Sequence, residues 1–395
     1  MSPSKKARTG EVGTSVNRQP NQPYGVDALS GVSNRVRVPL SSPDIGDLER
    51  MYVNAALDAG WISGSGAFVR QFEQRLGERI GREYVIATAN GTLAIELALR
   101  AFGIGRGDEV IVPALTFAAP AASVLAVGAT PVLVDISSTS WTICPDQVAA
   151  NITQRTRAII AVDILGHPAD YEKLACFGLP VVEDAAEAHG ARYKGRLTGS
   201  LGAVSIFSFH ANKAIATGEG GCVATDSPEL ADQMRVIANH GMRSERPYVH
   251  DVVGRNYRMT NLVAAVGLGQ LERWDELIGS RNRISGLYDK LLVGSDCQAR
   301  PVAEWASYSC WLHTVTVRSR AAVLAYLNDR GIDARAIWPA LSGQLLFGAV
   351  DRPFPIAETV ASQAVWLPTY AAMTSGDVEF VADTLKQAVV QFAKQ

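Results

Sequence analysis

The sequence predicts an α/β fold: a large, mostly parallel sheet covered by helices on both faces, followed by a smaller C-terminal α/β part. Three observations carry it. Short β-branched apolar runs recur between residues 83 and 209, helix-like segments alternate with them, and after about residue 275 the pattern shifts to amphipathic helices around a single strand.

Residues 1–35 are rich in Ser, Gly, Pro, Asn and Gln and lack the apolar core of a signal peptide, so they read as a flexible tail. Lys5, Lys6 and Arg8 in it read as a solvated charge cluster. Residues 36–275 form the large part. Within it "EYVIATAN", "DEVIVPAL", "TPVLVDI", "RAIIAVDIL", "LPVVEDAA" and "AVSIFSF" are buried strands, each bounded by Gly, Pro, Asp or Asn. "TLAIELALRAFG", from Thr92 to Gly103, is a helix between the first two. Residues 276–395 form the small part: "RNRISGLYDKLL", "SRAAVLAYLNDRG" and "DVEFVADTLKQAVVQF" have helical periodicity and "CWLHTVTV" reads as a strand. Trp311, Trp338 and Tyr370 there either face a ligand or fill the core.

Composition narrows the function. Hydrophobic residues make up 47% of the 395 and charged residues 19%, which describes a well-packed globular protein, and the longest apolar runs are too short to span a membrane. Lys+Arg number 37 and Asp+Glu 39, a net charge of −2, so no overall field points to nucleic acid or an anionic membrane. Five scattered cysteines, never in a C-x-x-C spacing, argue against a zinc site or a disulfide framework and fit a reducing cytoplasm. No metal is expected.

Ligands of open α/β sheets bind beyond the carboxyl ends of the strands, so the polar residues there carry the chemistry. In "FSFHANKAIATGEGG" one lysine, Lys213, stands among small and apolar residues before a glycine-rich turn. A desolvated ammonium loses its proton more easily and becomes the nucleophile that a Schiff base needs. Asn90, Gly91 and Thr92 lie where a strand turns into a helix, a place suited to a phosphate or simply to a helix cap. Asp184 ends a core strand, where a buried carboxylate needs a partner such as a cationic ring nitrogen. Together these are the parts of a pyridoxal 5'-phosphate (PLP) site: an amine, a carboxylate for the pyridine nitrogen, and a helix terminus for the phosphate.

"EDAAEAHGARYKGRLTGSLGAVSIFSFHANKAIATGEGGCVAT" resembles the signature stretch of the DegT/StrS sugar aminotransferases, fold-type I PLP enzymes of aspartate-aminotransferase-like architecture. The likeness extends to residues 90–136, to "GRNYRMTNLVAAVGLGQLE", and more loosely over residues 36–391. It implies that Lys213 carries the cofactor and moves protons, that Asp184 pairs with the pyridinium, and that Phe117 stacks on the ring. It also implies that Gly91, Thr92 and Ser208 hold the phosphate, and that Asn256 reaches the phosphate of a neighbouring subunit in a homodimer. Glu187 stands where the family often has glutamine beside the phenolic oxygen, and must be protonated, turn away or meet a cation. His189 would lie towards the sugar, either as a catalytic group or as a structural hydrogen-bonding histidine. Because related dehydratases have histidine at the lysine position, Lys213 favours transamination.

The implied substrates are glutamate as amino donor and a nucleotide-linked keto-deoxysugar. Residues 248–277 are most similar to the group within the family that aminates GDP-4-keto-6-deoxymannose, from which Arg255 and the His210-Ala211 pair depart. Amination at C3, a dTDP-linked sugar, a PLP-dependent dehydratase or lyase, and a non-catalytic binder remain the alternatives at this stage.

Overall fold

The computed structural model describes residues 36–347 and 352–393; the N-terminal tail read from the sequence lies outside them. The first half of the chain runs α1 (Asp47–Asp58), α2 (Ala67–Ile80), β1 (Tyr84–Thr88), α3 (Gly91–Ala101), β2 (Glu109–Pro113), α4 (Ala119–Ala126), β3 (Thr130–Val134), α5 (Pro145–Ala149), β4 (Thr156–Val162), α6 (Tyr171–Ala175) and β5 (Val181–Asp184). Then come β6 (Arg192–Tyr193), β7 (Arg196–Leu197), β8 (Val204–Ser208), β9 (Gly221–Thr225), α7 (Pro228–Ala238), α8 (Asn261–Glu272) and α9 (Trp274–Leu291). The last hundred residues supply β10 (Gln298–Ala299), β11 (Ala306–Ser307), β12 (Thr314–Thr316), α10 (Arg320–Asn328), β13 (Arg335–Ala336), α11 (Pro355–Gln363), β14 (Ala364–Trp366) and α12 (Ser375–Phe392).

Seven strands form the main sheet in the order β1-β9-β8-β5-β4-β2-β3. Every pair from β8 to β3 is parallel, while β9 runs antiparallel to both β1 and β8. Strands β2, β5 and β9 are buried throughout, which is why their sequences do not alternate between apolar and polar residues. All six strands read from the sequence form. β9 is the addition: "GCVAT" follows a glycine-rich turn, is five residues long and lacks alternation, so its pattern does not separate it from the turn.

α3 begins one residue earlier than its periodicity indicates, because the Asn90 side chain accepts from Leu93 N–H at 2.9 Å and caps the helix. Its apolar face packs on the sheet through Ala94, Leu97 and Ala98, all fully buried. A second apolar cluster, built on Ile284, Tyr288, Val315, Leu327, Val381 and Leu385, underlies the four-stranded sheet β10-β12-β14-β13. Tyr370 packs against this cluster, on the core side of the choice left open by the sequence. From Arg37 onward the chain packs as one unit. Among the described residues, no helix is long and apolar enough to cross a membrane.

Candidate active site

The carboxyl ends of β2, β4, β5 and β8 open into a cavity of about 390 Å³, whose wall includes Gly91, Thr92, Phe117, Asp184, Glu187, Ser208 and Lys213. Topology explains the gathering: parallel strands deliver their last residues to one edge, and the N-terminus of α3 arrives beside them. Gly91 favours a close approach there, since a Cβ on it would stand 3.0 Å from Ser208 Cβ, a tight contact. The first turn of α3 therefore presses against the end of β8 and leaves a cradle of backbone N–H groups beside a hydroxyl.

Lys213 is 9% exposed. Its Nζ lies 3.4 Å from Glu187 Oε1 and 3.9 Å from the centre of the Trp311 ring, which covers it. Burial lowers its pKa from the usual lysine value, and the carboxylates of Glu187 and Asp184 oppose that shift. Glu187 thus meets a cation, one of the three outcomes its sequence position allowed. Its other oxygen accepts Leu165 N–H at 2.8 Å. Leu165 reaches that bond in a left-handed conformation, φ 56°, within the turn Ile164–Gly166. The next residue must be glycine: Gly166 has φ +90°, and a Cβ on it would fall 1.6 Å from Ser309 O. Burial raises the pKa of Glu187, against the pull of Lys213 and the Leu165 amide.

Asp184 is 5% exposed at the end of β5, and among the described residues its carboxylate accepts one hydrogen bond, from Ala186 N–H at 3.1 Å. Burial pushes its pKa up to about 7; the neighbouring Glu187 charge adds to the rise, while the Ala186 N–H and Lys213 oppose it. A carboxylate so poorly neutralised is suited to a cationic ring nitrogen. The helix-terminus cradle, the amine and this carboxylate fit PLP on the donor set alone.

The remaining wall is aromatic. Trp311 and Trp338 stack at 6.0 Å and 15°, Trp366 stands edge-on to both, and the half-exposed Phe117 ring lies 6.1 Å from Trp338. Trp311 and Trp338 therefore line the cavity and also join the main apolar cluster. Trp366, in "AVWLP", had no sequence signal beyond its residue type.

Two residues lie elsewhere. His189 does not face a sugar: it is 2% exposed among Phe207, Phe209 and Trp274, and burial lowers its pKa to about 3. An apolar cage of aromatic rings holds it, in place of the sugar-facing position that the resemblance implied. Asn256 lines no part of its own chain's cavity; its Oδ1 accepts from Arg258 N–H at 3.3 Å and Nε at 3.0 Å. His210 lines the cavity, with Nδ1 3.0 Å from Asn212 Oδ1. Among the described residues no group of three His, Cys, Asp or Glu could hold a metal ion.

Similar folds are known. A putative sugar aminotransferase from Streptococcus pneumoniae, solved in its PLP form, superposes with a TM-score of 0.85 at 28% identity, over 90% of this chain and 99% of its own. The fold is that of the PLP-dependent sugar aminotransferases of fold type I, and this chain is an enzyme of that class. It belongs to the DegT/DnrJ/EryC1/StrS aminotransferase family, whose sequence profile matches residues 43–386. Similar curated proteins include the GDP-perosamine synthase of Caulobacter vibrioides, 39% identical over 372 residues that span 91% of this chain and 100% of the relative. The GDP-perosamine synthase of Escherichia coli O157:H7 is 35% identical over 357 residues, 89% of this chain and 98% of that one.

Proposed function

We propose that the chain transfers an amino group from glutamate to the keto carbon of GDP-4-keto-6-deoxymannose, giving GDP-perosamine. The observation that supports this reading is one buried amine, Lys213 Nζ, beside Glu187 and Trp311 in the cavity that Asp184 also lines. It occurs in a chain 32–39% identical to three GDP-perosamine synthases over most of its length.

PLP, when bound, supplies an electron sink for charge developing at the amine-bearing carbon. The chain's residues do the rest. Backbone N–H groups at Gly91 and Thr92 with the Ser208 hydroxyl would hold the phosphate, Asp184 would keep a proton on the ring nitrogen, and Phe117 would pack against the ring. Lys213 Nζ would hold the cofactor and, when free of it, would take the α-proton of glutamate in one half-reaction and give a proton to the sugar carbon in the other. Glu187 would steady that amine whenever it carries a proton. Trp311, Trp338 and Trp366 give the sugar an apolar platform that excludes water.

Residues 36–275 are read as the cofactor-binding part and 276–395 as the part that carries this platform. The assembly is a homodimer with shared sites, in which Asn256 serves the neighbouring subunit's phosphate, and the enzyme works in the reducing cytoplasm. The test is to supply purified protein with PLP, glutamate and either a GDP- or a dTDP-linked 4-keto-6-deoxy sugar. The reading expects 2-oxoglutarate and a 4-amino sugar with the GDP substrate. Turnover with the dTDP substrate alone, or amination at C3, overturns it.

A further inference from the structure

Arg281, on α9, is 2% exposed, and no salt bridge to a carboxylate is found for it among the described residues. Its two terminal nitrogens donate to neutral acceptors from four separate segments, while Nε has no partner among the described residues. Nη1 donates to Trp311 O at 2.7 Å and Thr369 O at 3.0 Å; Nη2 donates to Ser41 Oγ at 3.2 Å, Lys213 O at 3.2 Å and Asn212 O at 3.5 Å. Asn212 O is a shared node, for Trp311 Nε1 also donates to it at 2.8 Å and Ser41 Oγ at 3.3 Å. A buried cation without a counter-charge is costly, and here both terminal nitrogens offset part of that cost by donating to several acceptors at once. Here the fork grips the backbone on both sides of one functional contact, the Lys213 ammonium against the Trp311 ring.

We propose that Arg281 is a positioning residue, which sets where Lys213 Nζ stands relative to Trp311 and the cavity by holding the main chain of both. This rests on the reading of Lys213 as the cofactor-bearing amine. The planar fork spans four carbonyls and a hydroxyl at once, and a lysine at the same place retains the charge but cannot span them.

The test compares holoenzyme of Arg281→Lys and Arg281→Met with Tyr288→Phe. That control lies on the same helix and loses a buried hydrogen bond of 3.1 Å to Pro368 O, away from Lys213. The readouts are the midpoint, in pH, of the visible band of the Lys213-bound cofactor, together with kcat and KM. Arg281→Lys is expected to move the midpoint by half a pH unit or more and to lower kcat at least tenfold, with KM for glutamate changed less than threefold. Tyr288→Phe is expected to keep both, whatever its melting temperature. If Arg281→Lys folds with wild-type midpoint and kcat, or if Tyr288→Phe shifts them equally, Arg281 only supports the fold and the proposal fails. Should Arg281→Met not fold, the lysine variant still decides. Lys213→Ala separates the underlying reading: a band that survives in it defeats that reading whatever Arg281 does.

Discussion

Replacing Asp184 by Asn should stabilise the cofactor-free protein while disabling the enzyme. The carboxyl is moved by burial from an ordinary 3.8 to about 7. The folded state therefore binds this proton more tightly than the unfolded chain, and stability falls as pH rises from about 4 to about 7, then levels off. At about 1.4 kcal/mol per pH unit over roughly three units, full ionisation withdraws about 4 kcal/mol from the fold. Asn is isosteric, retains an oxygen for the Ala186 N–H, and carries no charge. Urea unfolding of cofactor-free wild type and Asp184→Asn at pH 5 and pH 8 measures the difference. The variant should gain several kcal/mol over wild type at pH 8 and no more than about half of that at pH 5. Amine transfer in the same variant should fall about a hundredfold to a thousandfold, the usual cost of losing one preorganised electrostatic partner. An equal effect at both pH values, or a variant less stable at pH 8, would refute the claim that Asp184 is a strained buried carboxylate waiting for a cation.

Three further outcomes follow from the same geometry. Glu187→Gln removes the carboxylate that raises the Lys213 pKa, so acylation of Lys213 in cofactor-free protein, followed by mass spectrometry against pH, should begin at lower pH than in wild type. Trp338→Ala opens the aromatic platform; KM for the nucleotide sugar should rise about tenfold or more while the glutamate half-reaction retains its rate, as stopped-flow absorbance would show. Gly166→Ala places a Cβ against Ser309 O in a left-handed conformation and should lower the melting temperature sharply, with a loss of about 2 kcal/mol or more by urea unfolding.

Much of this was legible in the sequence, for a physical reason. In a parallel sheet the chemistry-bearing residues follow their strands directly, so Asp184 after "VVE", Ser208 after "VSIF" and Gly91 before an apolar helix mark the mouth of the sheet by position alone. Parts that depend on distant segments were not legible. Trp366 reaches the cavity because β14 pairs with β12 and β13, and nothing near it in sequence says so. Leu165 offers its N–H to Glu187 through a left-handed turn that Gly166 permits, a conformation that apolar pattern does not encode. The resemblance put His189 towards the sugar, whereas its ring sits among Phe207 and Phe209 from one segment and Trp274 from another, a convergence that local sequence does not encode. Arg281 carried no signal at all, being one arginine in an amphipathic helix until four segments converge on it.

The central claim is that Lys213 holds the cofactor and passes nitrogen from glutamate to a GDP-linked keto sugar. The most direct measurement is the absorbance spectrum of the purified protein with PLP, in wild type and Lys213→Ala, before and after glutamate and then after the sugar. The account predicts a yellow band in wild type only, bleached by glutamate as the pyridoxamine form accumulates and restored by the GDP-4-keto-6-deoxy sugar. A band that persists in Lys213→Ala, or one that glutamate leaves unchanged, would contradict it.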